Sequence, residues 1–330
     1  MLCDELAVDR ASASGMLVGP VIERIGKAQK FVLSAECAAV ADALSSDYTG
    51  LVRAFEHCRL PFRETWIEFV HIERPNFSAA QMHAPAFQVQ PRRVGYLLSA
   101  TRDDLSAWRA HMLWSIPNGQ CSAASLAMDF DMTAPLTSEK ALPSVEDERA
   151  ERQRMADQGL LNMDIGPHPG WTQSSESVKL AMLRHTNPCR ADYDMPLPIG
   201  IPKHRWREFY EAMATLARAD WAGEPSYLLA VIGLLNARNA VDLHQTDLSR
   251  LNKARRKRGV LPLFEHKVLH IAHRQAKRVY ALGESRGDHT PMRGHFVRGH
   301  FKTRKSGVYF WSPHARGDLA RGRIEKEYEL

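Results

Sequence analysis

Cysteine is scarce in this sequence, and its spacing argues against two kinds of small scaffold. The cysteines are odd in number and widely scattered along the 330 residues, and no two of them form a CxxC pair. Neither a disulfide framework nor a zinc ribbon is therefore indicated. We predict no cofactor. The five cysteines are Cys3, Cys37, Cys58, Cys121 and Cys189.

Long apolar runs are also absent. The most apolar stretch covers residues 227–235 and is much shorter than the roughly 20 residues that a membrane-spanning helix requires. Residues 1–6 are acidic and lack the apolar segment of a secretory signal. We expect a cytoplasmic protein without a membrane partner, and we expect residues 1–17 to be only loosely docked.

The common local signatures of enzymes are missing as well. The sequence contains no GxxxxGK[ST] phosphate loop, no GxGxxG that opens a helix, no HExxH and no GxSxG. These absences favour a binding role over an enzymatic one, although chemistry that needs only histidines and cations is not excluded by them.

Positive charge is concentrated at the C-terminal end. The net charge is +6, but residues 251–330 contain 19 Lys and Arg against 7 Asp and Glu, a net of +12, which leaves −6 on residues 1–250. Seven of the 15 histidines lie in the same final segment. A basic segment on an acidic body indicates a polyanionic partner, most often nucleic acid, with DNA or RNA left open.

The first half of the chain has a helical pattern followed by a strand pattern. From Val21 to about His57 apolar residues recur at helical spacing, and Ser34 is placed as an N-cap. We predict an α+β domain over residues 1–185, with helices packed on an antiparallel sheet. Four runs have strand composition: 65–72, 93–99, 108–116 and 125–130.

A proline-rich stretch follows. Four prolines lie between Asn187 and Pro202, so we predict an irregular connection over residues 186–202. Residues 203–330 are then predicted as a second domain, a helical segment followed by a small basic β-hairpin module. Its third helix covers residues 247–258 and stops at Gly259.

That third helix carries more cations than helix stability requires. Six of the nine residues 250–258 are Lys or Arg, whereas complementing the helix dipole explains one or two. Leu248 and Leu251 supply a short apolar stripe. The cations are predicted to contact phosphate, and the alternative is a merely solubilising face. They are Arg250, Lys253, Arg255, Arg256, Lys257 and Arg258.

Cations and aromatics alternate with strand periodicity after residue 295. A three-residue loop, Lys305-Ser306-Gly307, would pair Arg304 with Val308 and Lys302 with Phe310. That register places Phe310 on a cationic face, where exposed aromatics could stack bases. The alternative is an edge hairpin protected against aggregation by its Lys and Arg residues. The other predicted contacts of this module are Arg298, His300, Lys302, Arg304 and Arg316.

Two further patterns suggest chemistry. Asp129-Phe-Asp131 places two carboxylates on one strand face and is a candidate metal site, with a solvated strand end as the alternative. His300 and His314 flank the hairpin and could serve as general base and general acid of a metal-independent ribonuclease. The simpler interpretation of these histidines is that they bind phosphate or backbone groups.

Three segments resemble the C-terminal part of uncharacterised proteins encoded by bacteriophages and prophages. These segments are Leu251 to Leu263, His295-Phe-Val-Arg-Gly-His300 and Trp311-Ser-Pro-His-Ala-Arg-Gly317, and all three lie within about the last quarter of the chain. Leu60 to Glu68 shows a lower similarity to the same proteins. The resemblance implies a mobile-element setting and assigns no activity.

Three hypotheses follow from these patterns. The first is a phage or prophage accessory protein that binds nucleic acid through its basic C-terminal module. The second is the ribonuclease, and the third is a virion or assembly component. Further candidate partners are a second copy of the chain, in a homo-oligomer, and another phage protein.

Overall fold

The fold is described from a computed structural model. It describes residues 1–8, 18–45, 51, 54–55, 57–71, 91–124, 126–133, 186–192, 202–205, 221, 223–272, 293–316 and 318–323. The described helices are α1 (Leu2–Val8), α2 (Gly19–Lys27), α3 (Ala35–Ser45), α4 (Glu224–Asn236) and α5 (Ser249–Lys257).

The strands of the main sheet are β1 (Gln29–Leu33), β2 (Glu64–Val70), β3 (Arg93–Ala100), β4 (Ala107–Ser115), β5 (Cys121–Ala123), β6 (Leu126–Asp131), β7 (Thr186–Arg190), β8 (Val241–Gln245) and β9 (Lys267–Ile271). The remaining strands are β10 (Arg293–Val297), β11 (His300–Arg304), β12 (Gly307–Trp311), β13 (His314–Arg316) and β14 (Asp318–Arg323).

The main sheet is mixed, whereas the sequence predicted an antiparallel one. Eight strands follow the order β7-β6-β4-β3-β2-β1-β9-β8, and the short β5 pairs with β4. β1 runs parallel to both of its neighbours, and the other pairings are antiparallel. The difference arises at Val32 and Leu33, which belong to β1 although their spacing suggested a helix. The predicted N-cap is confirmed, since Ser34 Oγ accepts a hydrogen bond from the Cys37 N–H at 3.2 Å in α3.

Each face of the sheet is covered by its own helices, because alternate strand residues point to opposite sides. On one face α3 and α4 pack over a core that includes Phe69, Tyr96 and Trp108. On the other face α1 and α2 pack over Trp66 and Leu97. Each of these large side chains, buried to less than 2% exposure, contributes on the order of 1.5–3 kcal/mol of hydrophobic stabilisation. The mixed helix and sheet content agrees with the predicted α+β class.

Residues 2–8 form a docked helix, which corrects the expectation of a loose start for these residues, and residues 9–17 of that expected segment lie outside the described residues. Leu2, Cys3 and Leu6 are buried in α1. The carboxylate of Glu68, fully buried in β2, accepts hydrogen bonds from the N–H groups of Leu2 at 3.1 Å and Cys3 at 3.3 Å. It also accepts from Trp66 Nε1 at 2.9 Å and Arg93 Nη1 at 3.0 Å. Four donors therefore compensate the burial of this carboxylate and hold α1 at its first turn.

Later segments complete the same sheet. β7 lies within the stretch predicted to be an irregular connection, so that prediction is wrong for residues 186–190. β8 and β9, which follow the predicted connection in sequence, extend the sheet at its other edge. The described residues on both sides of the predicted connection thus share one sheet, and α4 lies in the core of its α3 face. Among the described helices, none combines the length and apolarity needed to cross a membrane.

Candidate nucleic-acid interface

The hairpin β11–β12 has a different register from the predicted one. Arg304 pairs with Gly307, Lys302 with Tyr309 and His300 with Trp311, so the loop has two residues, Lys305 and Ser306. His300 therefore does not lie opposite Ser312, as the predicted register required. A shift of one residue moves every β12 side chain to the other face.

The register is explained by what the hairpin buries. Phe301, Val308 and Phe310 are 7%, 2% and 2% exposed and join the core around α4. These side chains have no polar atoms, whereas Tyr309 and Trp311 carry an O–H and an N–H that favour the solvated face. The prediction that Phe310 is an exposed stacking residue is consequently wrong. Tyr309 and Trp311 lie instead on the cationic face that the prediction assigned to Phe310.

Two adjacent residues after α4 fix the hairpin in place. The side chain of Asn239 donates through Nδ2 to the Phe310 carbonyl at 2.8 Å and accepts through Oδ1 from the Phe310 N–H at 3.0 Å. The Arg238 N–H donates to the Val308 carbonyl at 3.2 Å. At Gly233 in α4 a Cβ would lie 2.8 Å from Phe301 Cζ, so the absence of a side chain permits the close approach.

The outward face of the hairpin combines cations with aromatic rings. Lys302 Nζ lies 4.2 Å from the ring centroid of Trp311, and Arg304 Cζ lies 5.6 Å from that of Tyr309. Trp311 is 38% exposed. Both pairs have cation–π geometry, which holds each aromatic beside a positive charge at the surface. We call His300, Lys302, Arg304, Tyr309 and Trp311 the hairpin face.

The electrostatics of the hairpin face favour negative charge. A hydrogen bond with Ser306 lowers the pKa of Tyr309 from its usual value, and the nearby Arg238 and Arg304 act in the same direction. Among the ion pairs between described residues, none includes Lys302 or Arg304, so no described carboxylate neutralises these two cations.

His300 lies at the end of this face with an oriented ring. Its Nδ1 is 3.0 Å from the Arg298 carbonyl, a contact that requires Nδ1–H to donate and leaves Nε2 directed elsewhere. The backbone of β13 places His314 opposite Val297 and Arg316 opposite His295. The side chains of His314 and Arg316 are outside the described residues, so the ribonuclease pairing of His300 with His314 stays a prediction.

The predicted basic helix forms α5, with its ends close to where they were expected. Asp247 Oδ1 accepts from the Ser249 N–H at 2.9 Å at the start, and Gly259 has φ +67° just beyond the end. The sequence predicted that an apolar stripe containing Leu251 would attach this helix, but the Leu251 side chain is 47% exposed. Instead, Asn252 is buried and exchanges two hydrogen bonds with the Leu263 backbone, at 3.0 and 2.7 Å.

The cations of α5 divide into two groups. Arg255 Nε donates to the Leu261 carbonyl at 2.7 Å, so this residue supports the return segment of the chain. Arg250, Lys253 and Lys257 are exposed at positions i, i+3 and i+7, which places them on one helix face away from Asn252. Arg256 and Arg258 are likewise exposed.

The two basic elements are anchored to opposite faces of the sheet. The hairpin packs on the α4 face through Phe301 and Phe310. The segment that follows α5 is attached to the α1 face, where the Phe264 N–H donates to Asp4 Oδ1 at 2.9 Å. The predicted contacts therefore form two separately anchored sets of cations.

The predicted metal candidates are engaged with arginines. Asp129 binds Arg109 through two hydrogen bonds of 2.8 and 3.0 Å. Asp131 binds Arg102 Nη2 at 3.1 Å and accepts from the Thr133 N–H at 2.9 Å. Among the residues that the structure places, no cluster of three His, Cys, Asp or Glu side chains could hold a metal ion.

Asp129 belongs to a polar row that sequence reasoning did not find. Glu64, Ser99, Arg109 and Asp129 lie side by side on four neighbouring strands. Asp192, just after β7, accepts from Arg109 Nη1 at 2.9 Å. The row depends on the pairing of strands far apart in sequence, so no local spacing could reveal it.

The comparisons with known proteins add no assignment. No family model, curated protein or solved structure matches this chain.

Proposed function

We propose that this protein binds single-stranded nucleic acid through the hairpin face, with α5 as a second phosphate-contacting element. The observation that carries the proposal is the alternation of Lys302 and Arg304 with the exposed ring of Trp311 and the half-buried ring of Tyr309. Cations attract the phosphate backbone, and aromatic faces stack on bases whatever their sequence. The cations alone would not distinguish a single strand from a duplex, whereas the rings can stack only on bases that are not already stacked in a duplex.

The way the hairpin is held supports the same proposal. On its opposite face Phe301, Val308 and Phe310 are buried, and the Asn239 side chain makes two hydrogen bonds to the backbone of Phe310. The hairpin face is thus presented in a fixed arrangement, which reduces the ordering cost of binding. An edge hairpin whose cations only prevent aggregation does not require an exposed tryptophan.

The setting is proposed from the sequence. The resemblance to phage and prophage proteins covers Trp311 and the hairpin-flanking residues. An accessory protein of a mobile element that handles single-stranded DNA or RNA is consistent with both the resemblance and the surface chemistry.

Fluorescence anisotropy with labelled single-stranded RNA, single-stranded DNA and duplex DNA tests the proposal. Affinity for a single strand is expected to exceed affinity for the duplex and to fall steeply with salt. The K302Q/R304Q variant should reduce the salt slope by about 1–2, because two phosphate contacts are lost. The K27Q variant, at an exposed lysine of α2, is the matched control.

The aromatic contribution is tested separately. Trp311→Ala should weaken single-strand binding roughly 5- to 100-fold through lost stacking, and Trp311→Phe should retain most of the affinity. Phe62, which is 42% exposed, provides the control variant F62A. Absent or salt-independent binding, or an unchanged affinity in W311A, would contradict the proposal.

A further inference from the structure

The edge strand β8 has an open row of main-chain groups. Among the described strands β9 is its single neighbour. The Thr246 N–H donates to the His266 carbonyl at 3.1 Å, and the Ala240 carbonyl accepts from Ala272 at 2.8 Å. Alternation in an antiparallel pair then directs the N–H and C=O groups of the odd-numbered residues away from the sheet. These residues are Val241, Leu243 and Gln245.

The two edges of the sheet differ in protection. β7, at one edge, contains Pro188, which cannot donate to a further strand. β8, at the other edge, contains no proline, lysine or arginine, its one charged residue at neutral pH is Asp242, and its central Leu243 is 50% exposed. Natural proteins protect a free edge with such residues unless that edge has a pairing partner. The composition of β8 therefore points to an edge that is paired in use.

The sequence of β8 is complementary to itself in antiparallel orientation. With a two-fold axis at Leu243, that residue faces Leu243 of the partner subunit, and Val241 faces Gln245 of the partner subunit. Each of these residue pairs would exchange its two outward main-chain hydrogen bonds. Asp242 would face His244 of the partner subunit on the opposite side of the sheet, so an acidic group meets a basic one twice by symmetry.

Local contacts position these side chains for such pairing. The rings of His244 and His270 meet edge to face, with centroids 4.9 Å apart. Asp242 and His244 are exposed on this side of β8, while Leu243 lies on the side of the buried Leu269. We propose that two copies of the chain associate through β8 and join their sheets into one continuous sheet. This inference is independent of nucleic-acid binding.

Sedimentation velocity of the full chain over a range of concentrations tests the inference. We expect a concentration-dependent species with twice the 37.2 kDa chain mass. Leu243→Pro should abolish it, because proline removes an N–H that points away from β9 and is tolerated at a sheet edge. The unfolding midpoint of L243P, followed by circular dichroism, verifies that the variant is folded.

Two further comparisons make the test specific. Leu243→Lys should weaken dimerisation, whereas Leu261→Lys, at a leucine of nearly equal exposure (51%), should not. H244D should raise the dissociation constant about tenfold because two pairs of carboxylates then face each other, and the swap D242H/H244D should restore it. A monomer at every concentration, or a dimer that L243P and L243K leave intact, would overturn the inference.

Discussion

A histidine between two arginines shows how one residue depends on its surroundings. His111 in β4 is 1% exposed, and its Nε2 lies 3.4 Å from Asp192 Oδ2. Arg24 and Arg109 bind the same carboxylate from either side, at 3.4 and 2.9 Å. Burial, and after it the charge of Arg24, lower the pKa of His111 to about 4. The imidazole is therefore neutral in the folded protein at neutral pH.

His111 makes stability depend on pH in a defined window. The unfolded histidine gains a proton near its usual pKa of 6.5, whereas the folded one resists protonation down to about 4. Protons then favour the unfolded state, so the free energy of unfolding falls as the pH drops from 6.5 to 4, by on the order of 3 kcal/mol from this group. Stability is fully retained above the unfolded pKa.

Urea unfolding at several pH values measures this contribution. His111→Gln should lose less stability than the wild type between neutral pH and about pH 4, while His57→Gln, at a partly exposed histidine, should follow the wild type. Burial opposes ionisation of Asp192, but His111, Arg109 and Arg24 outweigh it and lower its pKa, so its own contribution is lost at still lower pH. Equal pH dependence in H111Q and wild type would contradict the assignment.

At the scale of elements, the hairpin depends on its attachment to α4. A two-stranded hairpin alone is at best marginally stable in water, and this one gains its stability from buried Phe301, Val308 and Phe310. Asn239 supplies the polar part of the attachment. Burial of one face and bonding of the Phe310 backbone together decide which residues face outward.

Asn239→Ala should loosen the hairpin without unfolding the sheet. The change leaves the N–H and C=O of Phe310 without their side-chain partners, at a cost of about 1–3 kcal/mol. Hydrogen exchange should accelerate in β11 and β12 while β3 and β4 remain protected. Asn118→Ala, which removes a hydrogen bond in an exposed turn, is the control and should leave the hairpin unchanged.

The elements also show what local patterns can and cannot predict. The strands β2, β3, β4 and β6 and the helix α5 lie close to the predicted ranges, because each has a period or cap that needs no distant partner. β1 was misassigned since Val32 and Leu33 fit either period. The hairpin register was wrong by one residue, because the loop sequence did not determine which aromatics meet α4.

At the scale of the molecule, positive charge is divided between two separately anchored elements. The hairpin is attached on the α4 face and the α5 segment on the α1 face. A ligand contacting both must follow the surface around the sheet, whereas a short strand can contact one of them. The α5 cations should therefore contribute phosphate contacts to any nucleic acid, and the hairpin face should in addition favour single strands.

Variants of the two basic elements test this division. R250Q/K253Q/K257Q in α5 should reduce the salt dependence of binding equally for single strands and duplexes, whereas W311A should reduce the preference for single strands. For distant sites without shared partners, the free-energy changes should add within about 0.5 kcal/mol. Strong non-additivity on a short oligonucleotide would indicate one shared site and contradict separate anchoring.

The sequence by itself determined the location of the charge, the secondary structure with a clear period and the α+β class. These properties follow from composition and from neighbours along the chain. The tertiary structure decided which aromatics are exposed, how the strands of distant segments join, and which carboxylates Arg109 and Arg24 bind. Each of those outcomes depends on which apolar faces can be buried together, and that is a property of the packed molecule.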